Sequence, residues 1–549
     1  MRKSLFLIGA SLLACLVAGA RERIHVVTDR NSYIAGDLVY CSLFCVDDEG
    51  RQSGFSAVSY LELISADGTV AEAKVGLFQG RGAGCFRIPM SAPTGNYALV
   101  AYTAGSAASP EDARILAVFN TTSTARVRDG VQIVPENEFA LPVAPDVVNQ
   151  GDLSLSLPAR LRQGREAVLL LGSQDLGADV SVSVYHEDGL APSDGKSLKT
   201  FLGGGPALPG PRLGEYEGEI VYATVEGLEA GAERVDAGTV TAFLSSAGAP
   251  SNVYVGRNMA DGRLQFFTGN IYGDRELVCE VVSMDGRQCH INLASPFVHP
   301  DPGQIPSLKL SPRQRGALVS RKASLQAWTA SGMDTLSRFL PKREDLLLEG
   351  QRTIRYHLDD YNRFPTVREI CVEFVKELQF VRRGDKWMIR LMASDATDSR
   401  SFMQGNVLVM MDGVVLTDHS MLSDFDAMLL EDIDIYTRSI VMGGVPYSGV
   451  VNFISKKNYV TALHFPPNVR VVDFLGVSYP VAYTGDAPAS GTEDLREVLF
   501  WHPALEIAGG SQVRIPITAP SYPGRFRVVA EGWKADGTPV RAEYSFEVE

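Results

Sequence analysis

The stretch Thr28-Asp29-Arg30-Asn31-Ser32-Tyr33-Ile34-Ala35-Gly36-Asp37 reads as a strand end, a turn and the approach to a second strand. It follows the β-rich run Ile24-His25-Val26-Val27 and leads into Leu38-Val39-Tyr40-Cys41-Ser42-Leu43-Phe44. Gly36 supplies the backbone freedom that a tight turn asks for. Asp48-Glu49-Gly50, Asp67-Gly68 and Pro93-Thr94-Gly95-Asn96 punctuate the region in the same way, and Tyr97-Ala98-Leu99 starts another strand. Apolar runs at this spacing predict a β-sandwich over residues 21–125.

The same texture continues outward. Val180 to Tyr185 alternates strictly and predicts a half-buried strand in a second sandwich over 126–212. Gly203 to Pro211 reads as a flexible loop. Tyr216 to Val221, Gly238 to Val255 and Leu264 to Phe267 predict a third sandwich over 213–300. Strands at Val513-Ile517 and Phe526-Gly532 predict a terminal sandwich over 461–549. The chain has 549 residues, 45% hydrophobic and 21% charged, which fits several globular domains and excludes wholesale disorder. Its formal net charge of −14 argues against nucleic acid as a partner.

Arg2-Lys3, the apolar run Leu5 to Val17 and Ala18-Gly19-Ala20 predict a secretory signal peptide over 1–20, and so an exported protein. No later run is long and apolar enough for a transmembrane helix. Leu12-Leu13-Ala14-Cys15 loosely resembles a lipobox, which keeps a lipoprotein anchored through Cys15 as the lesser alternative. Six cysteines follow, at 41, 45, 85, 279, 289 and 371. If Asp285-Gly286 turns a hairpin, Cys279 and Cys289 do not face each other, so buried free thiols are expected.

The pattern changes after Pro300. Ser311-Pro312 opens a helix with Leu318, Ala323, Leu325 and Trp328 as its rough stripe, in a helical linker over 301–354. Thr366 and Glu369 form a capping box for a second helix that aligns Val367, Ile370, Cys371, Phe374 and Leu378. Asn406 to Met411 and Val414-Val415-Leu416 are apolar strands hinged at Asp412-Gly413. Ile435 to Val441 is another strand, and Gly443 to Gly449 turns into Val450-Val451-Asn452-Phe453-Ile454-Ser455-Lys456.

These motifs carry two resemblances. Residues 28–37, with Pro93-Thr94-Gly95-Asn96-Tyr97-Ala98-Leu99, resemble the second macroglobulin-type domain of alpha-2-macroglobulin relatives, with Asp37 where that family has Glu. The order of segments over 355–460, and Tyr447 to Lys456 above all, resembles the plug domain of TonB-dependent outer-membrane receptors. Lys457 is followed by 92 residues, whereas a barrel of about 22 strands at roughly 9–11 residues each needs about 200 or more. The resemblance therefore implies a plug-like domain without a barrel. The combination is similar to exported multidomain proteins of Bacteroidetes-type bacteria. The fold class expected is multidomain and mainly β, with several Ig/macroglobulin-like β-sandwiches and one α+β plug-like domain.

The residues offer little chemistry. The Cys-Gly-Glu-Gln thioester of the macroglobulins is missing, as are His-Glu-x-x-His and Gly-x-Ser-x-Gly. His186-Glu187-Asp188 reads as a solvated turn before Gly189, and His502 beside Trp501 as structural. No catalytic residue, metal site or cofactor is assigned. The expected role is a non-enzymatic periplasmic or outer-membrane-associated scaffold that docks on an outer-membrane protein or envelope complex. Candidate docking residues are Tyr356, Asp359, Asp360, Tyr361, Arg363, Asp412, Arg438 and Tyr447, because aromatic and arginine side chains anchor interfaces. Gly36, Gly413, Gly443 and Gly449 are read as fold-defining. The alternatives are a non-covalent protease inhibitor, for which Gly203 to Pro211 is the candidate bait, and a surface carbohydrate- or peptide-binding protein.

Overall fold

The computed structural model describes residues 21–549 except 107–111, 123–125, 140–145, 191–195, 204–212, 228–239, 248–251, 284–287, 302, 331–336, 339–352, 393–401, 404, 443–444, 458–459, 461–462, 483–487 and 489–491. The expected signal peptide with Cys15, most of the 203–211 loop, the Asp285-Gly286 turn and Gly443 lie outside them. The described chain is mainly β and divided among several sheets. No helix among the described residues is long and apolar enough to cross a membrane.

The Asp29–Asp37 turn brings Glu22–Thr28 and Leu38–Asp47 together as an antiparallel pair. They belong to a nine-stranded sheet that bends through the long strand Gly68–Phe78 and closes over a core including Val39, Leu43, Leu61, Val75, Leu99 and Val118. Gly36 has φ +99°, a left-handed conformation that favours glycine.

The second and terminal sandwiches expected from the sequence are one. Ala178–His186 lies between Val498–Ile507 and Gly524–Lys534, antiparallel to both. Pro539–Val548 and Val147–Gln150 extend that sheet. The facing sheet is Leu153–Ser156, Glu166–Ser173 and Gln512–Thr518. The reason is edge satisfaction: the strands of 147–186 form half of one sheet and two of the three strands of the other, and the returning chain pairs their open N–H and C=O groups. The third sandwich is completed from afar as well, because Val469–Phe474 pairs with Arg275–Ser283.

The hairpin expected at Asp285-Gly286 does not form. Arg275–Ser283 pairs with Val240–Ser246, whereas Cys289–Leu293 pairs with Ile220–Gly227 in the other sheet. Cys279 and Cys289 are both buried there, and none of the six described cysteines is in a disulfide.

The α+β unit inserted before Val469 has the sheet order Thr353–His357, Leu430–Tyr436, Val445–Ser455, Asn406–Met411, Val414–Val415. Asn406–Met411 runs parallel to Val445–Ser455. Helix Val367–Glu373 packs on the sheet through Val367, Ile370 and Cys371, and the Thr366/Glu369 capping box forms. The helix is shorter than its stripe implied. Phe374 leaves helical geometry at φ −140°, and Leu378 already begins a strand.

Candidate functional site

The sequence-quoted turn sits at the centre of a buried charge network between the first two sandwiches. Asp29 accepts from the Tyr33 hydroxyl at 2.8 Å and the Tyr40 N–H at 3.0 Å. Arg30 donates to Asp37 at 2.9 Å. Arg321, on helix Arg315–Ala330, donates to the same Asp37 oxygen at 2.9 Å and reaches Glu497 at 3.3 Å and Asp188 at 3.5 Å. Glu497 in turn meets His186 at 2.9 Å and the Ser324 hydroxyl at 3.1 Å. Burial raises the carboxyls of Asp29 and Asp188 above their usual range. Burial pushes Glu497 the same way, but Arg321, His186 and Arg30 overcome it and hold Glu497 down at about 2. A small cleft opens beside the network, walled by Tyr40, Leu325 and Trp328.

This arrangement corrects three expectations. His186-Glu187-Asp188 is not a solvated turn: Asp188 is buried against Arg321, and Glu187 pairs with Arg525 and Arg527 at 2.6 Å. The helix at Arg315 buries Arg321 and Ser324, while Ala323 is exposed. An apolar stripe could not announce a face whose centre is a guanidinium. The strict alternation at Val180–Tyr185 misled for a related reason. Ser181 and Ser183 do not face water; they bond Ser42 Oγ at 2.8 Å and the Asp29 carbonyl at 2.6 Å.

Among the described residues, further buried charged groups lie in this joint and in the joints to the third sandwich and the α+β unit. Glu531, fully buried, lies 3.3 Å from His25 across the first joint. Lys74 pairs with Glu219 at 2.6 Å and covers the Phe474 ring, tying the first sandwich to the third. Glu280 accepts from the Thr417 hydroxyl and backbone, tying the third sandwich to the α+β unit. Phe243, Leu408, Met410, Tyr436 and Val450 form the apolar part of that last joint.

The expected docking residues divide. Tyr356, Asp359, Asp360, Tyr361 and Arg363 lie at one end of the α+β unit. Tyr361 is exposed and stacks on Phe374 at 4.4 Å, with Tyr356 5.8 Å away. Tyr356 donates to Glu377, and burial together with that carboxylate raises its pKa. Asp359 and Asp360 are exposed, and Asp359 pairs with Arg363. Arg363 also donates to the carbonyls of Ala427 and Leu430 at 3.2 and 3.0 Å, so its guanidinium holds the unit together as well as facing outward.

The remaining three stand apart. Asp412 is buried with φ +50°, and its carboxylate accepts from the Ser455 N–H and hydroxyl at 2.7 Å each. It is a turn-forming residue, as is Gly413 at φ +81°. Tyr447 packs against the internal Phe243 cluster instead of a partner. Arg438 is exposed but distant in sequence and sheet position from the Tyr361 end. Gly449 is required by close approach, since a Cβ would lie 2.6 Å from the Tyr436 carbonyl oxygen.

No family model and no curated protein matches the chain. Among solved structures it is similar to a trypsin-activated alpha-2-macroglobulin from Escherichia coli, at 10% identity and TM-score 0.25, covering 96% of this chain and 41% of that one. A methylamine-reacted Salmonella alpha-2-macroglobulin gives 10% identity and TM-score 0.24, with 97% and 40% covered. A dimeric latent PorU from Porphyromonas gingivalis gives 10% identity and TM-score 0.15, with 50% and 34% covered. The chain thus spans about two fifths of the length of the macroglobulins it matches.

Proposed function

We propose that the protein is an exported, non-catalytic envelope scaffold that holds its α+β unit out to a protein partner at the outer membrane. The observation that carries this reading is how that unit is mounted. Its Asn406–Met411 side is spent on the third sandwich, through the Phe243 cluster and the Glu280–Thr417 bonds. Its opposite edge strand, Thr353–His357, has one sheet neighbour among the described residues. Beside that edge lies the exposed Tyr361, stacked on Phe374 and 5.8 Å from Tyr356 of the edge strand, and Val372, two residues before Phe374 in the chain, is 77% exposed. An aromatic ledge with an open strand edge suits capture of a protein segment. Buried charges at the three described joints resist reorientation, as a presenting frame requires.

The test is a crosslinked pull-down of the tagged full-length protein from envelope fractions. Tyr361→Ala combined with Val372→Glu removes the ledge at two exposed positions, and an unchanged melting temperature checks the fold. Loss of a stoichiometric outer-membrane partner in the double variant is the expected result. A partner retained in full sinks the ledge as the docking surface, and recovery of soluble proteases alone turns the reading toward inhibition.

A further inference from the structure

Two carboxylates stand side by side on neighbouring strands of the first sandwich. Glu62 and Glu72 are direct partners in the antiparallel register of Val58–Ser65 with Gly68–Phe78. Like charges placed opposite each other destabilise a strand pair. Glu62 is also fully buried, where an uncompensated charge is costly. Burial and the neighbouring Glu62 raise the Glu72 carboxyl above its usual range.

A third donor arrives from a distant part of the chain. His299 follows the third sandwich, and its Nδ1 lies 3.0 Å from Glu62 Oε2 and 3.7 Å from Glu72 Oε1. The donor atoms of all three residues lie within 4.8 Å of one another. Metal–ligand bonds of about 2.0–2.1 Å give a tetrahedron with edges of roughly 3.3–3.4 Å. The two imidazole–carboxylate separations bracket that value.

The surroundings orient Glu62 for such a role. Its Oε1 is occupied by the Tyr102 hydroxyl at 2.5 Å and the His299 backbone N–H at 3.0 Å. Its Oε2 is directed to His299 Nδ1 and accepts from the Thr69 hydroxyl at 2.7 Å. Thr69 Oγ1 also lies 3.2 Å from His299 Nδ1, at the rim of the group. Outer hydrogen bonds that fix a ligating carboxylate are a regular part of metal sites.

We propose that Glu62, Glu72 and His299 form a binding site for a divalent transition-metal ion, with Zn²⁺ the best match. The imidazole nitrogen disfavours Mg²⁺ and Ca²⁺, which take oxygen ligands. Three protein ligands leave a fourth position for water. The ion neutralises the neighbouring carboxylates and staples the segment leaving the third sandwich to the first. Phe297, two residues before His299, already packs edge-on against Tyr60 at 5.7 Å in the same joint.

The experiment uses the full chain stripped with chelator. Zn²⁺ is titrated by calorimetry and Co²⁺ by visible absorption. The expected result is one ion per chain, tetrahedral Co²⁺ bands and a Zn²⁺-dependent rise in melting temperature. His299→Ala and Glu72→Gln change accessible side chains, and each is expected to weaken binding roughly tenfold or more. His464→Ala, an exposed histidine elsewhere, leaves binding unchanged. Failure to bind either ion, or equal binding in wild type and both site variants, overturns the proposal.

Discussion

At the scale of single residues, the molecule is organised around buried charges. Arg321 is 3% exposed and serves Asp37, Asp188 and Glu497 at once. Arg321→Met leaves those carboxylates buried without their shared cation and is expected to cost about 3–5 kcal/mol, read from urea unfolding. Glu280 carries a pH signature of opposite sign to Glu497 and Glu531. Burial pushes Glu280 up to about 7 from the ordinary 4.5, so the folded state keeps a proton that the unfolded state releases. Its contribution is therefore present below about pH 4.5 and lost as pH rises through 7, by roughly 3 kcal/mol at most. Glu280→Gln should flatten that alkaline loss, measured as urea midpoints at about pH 5 and about pH 8. Glu497 and Glu531, held at about 2, stabilise above the ordinary carboxylate range and lose that contribution as pH falls toward 2. The sequence showed where some of these residues lie: Asp29, Arg30 and Asp37 stood out in the opening turn. Their partners did not, because Asp188, Arg321 and Glu497 are ordinary polar residues until three separate segments converge.

At the scale of elements, local chemistry was legible wherever it acts locally. The capping box at Thr366 and Glu369, the helix start at Ser311-Pro312 and the turn at Asp412-Gly413 all follow from neighbours within a few residues. Elements whose faces meet another unit were misread. The Arg315–Ala330 helix buries a polar centre, and the serines of Ala178–His186 bond across the first joint, so neither shows the apolar period of its burial. The same logic moved Tyr447 and Asp412 from the outside to the inside, while Tyr361 stayed exposed. Gly449 tests the element scale directly. Strand Val445–Ser455 passes so close to Leu391 and the Tyr436 carbonyl that Gly449→Ala should cost about 1–3 kcal/mol, seen as a lower melting temperature.

At the scale of the whole molecule, chain order and spatial order diverge. A sequence divides most naturally into consecutive domains, and consecutive reading split one sandwich into two. Cross-strand pairing such as Val180 with Leu505 and Gly532 joins residues more than three hundred positions apart, and no local signal encodes it. Removal of residues 498–549 should therefore strip protection from the amides of Ala178–His186, which hydrogen exchange would detect, while Leu38–Asp47 stays protected. The feature also fixes a timetable. A ribosome delivers Leu153–Ser173 and Ala178–His186 long before Gly524–Lys534 and Pro539–Val548 exist. For that interval the early strands carry apolar faces and unpaired edges, open to any wrong neighbour. The early strands therefore stay open to wrong pairing until Gly524–Lys534 and Pro539–Val548 have been delivered, so the speed of synthesis sets how long the chain is at risk.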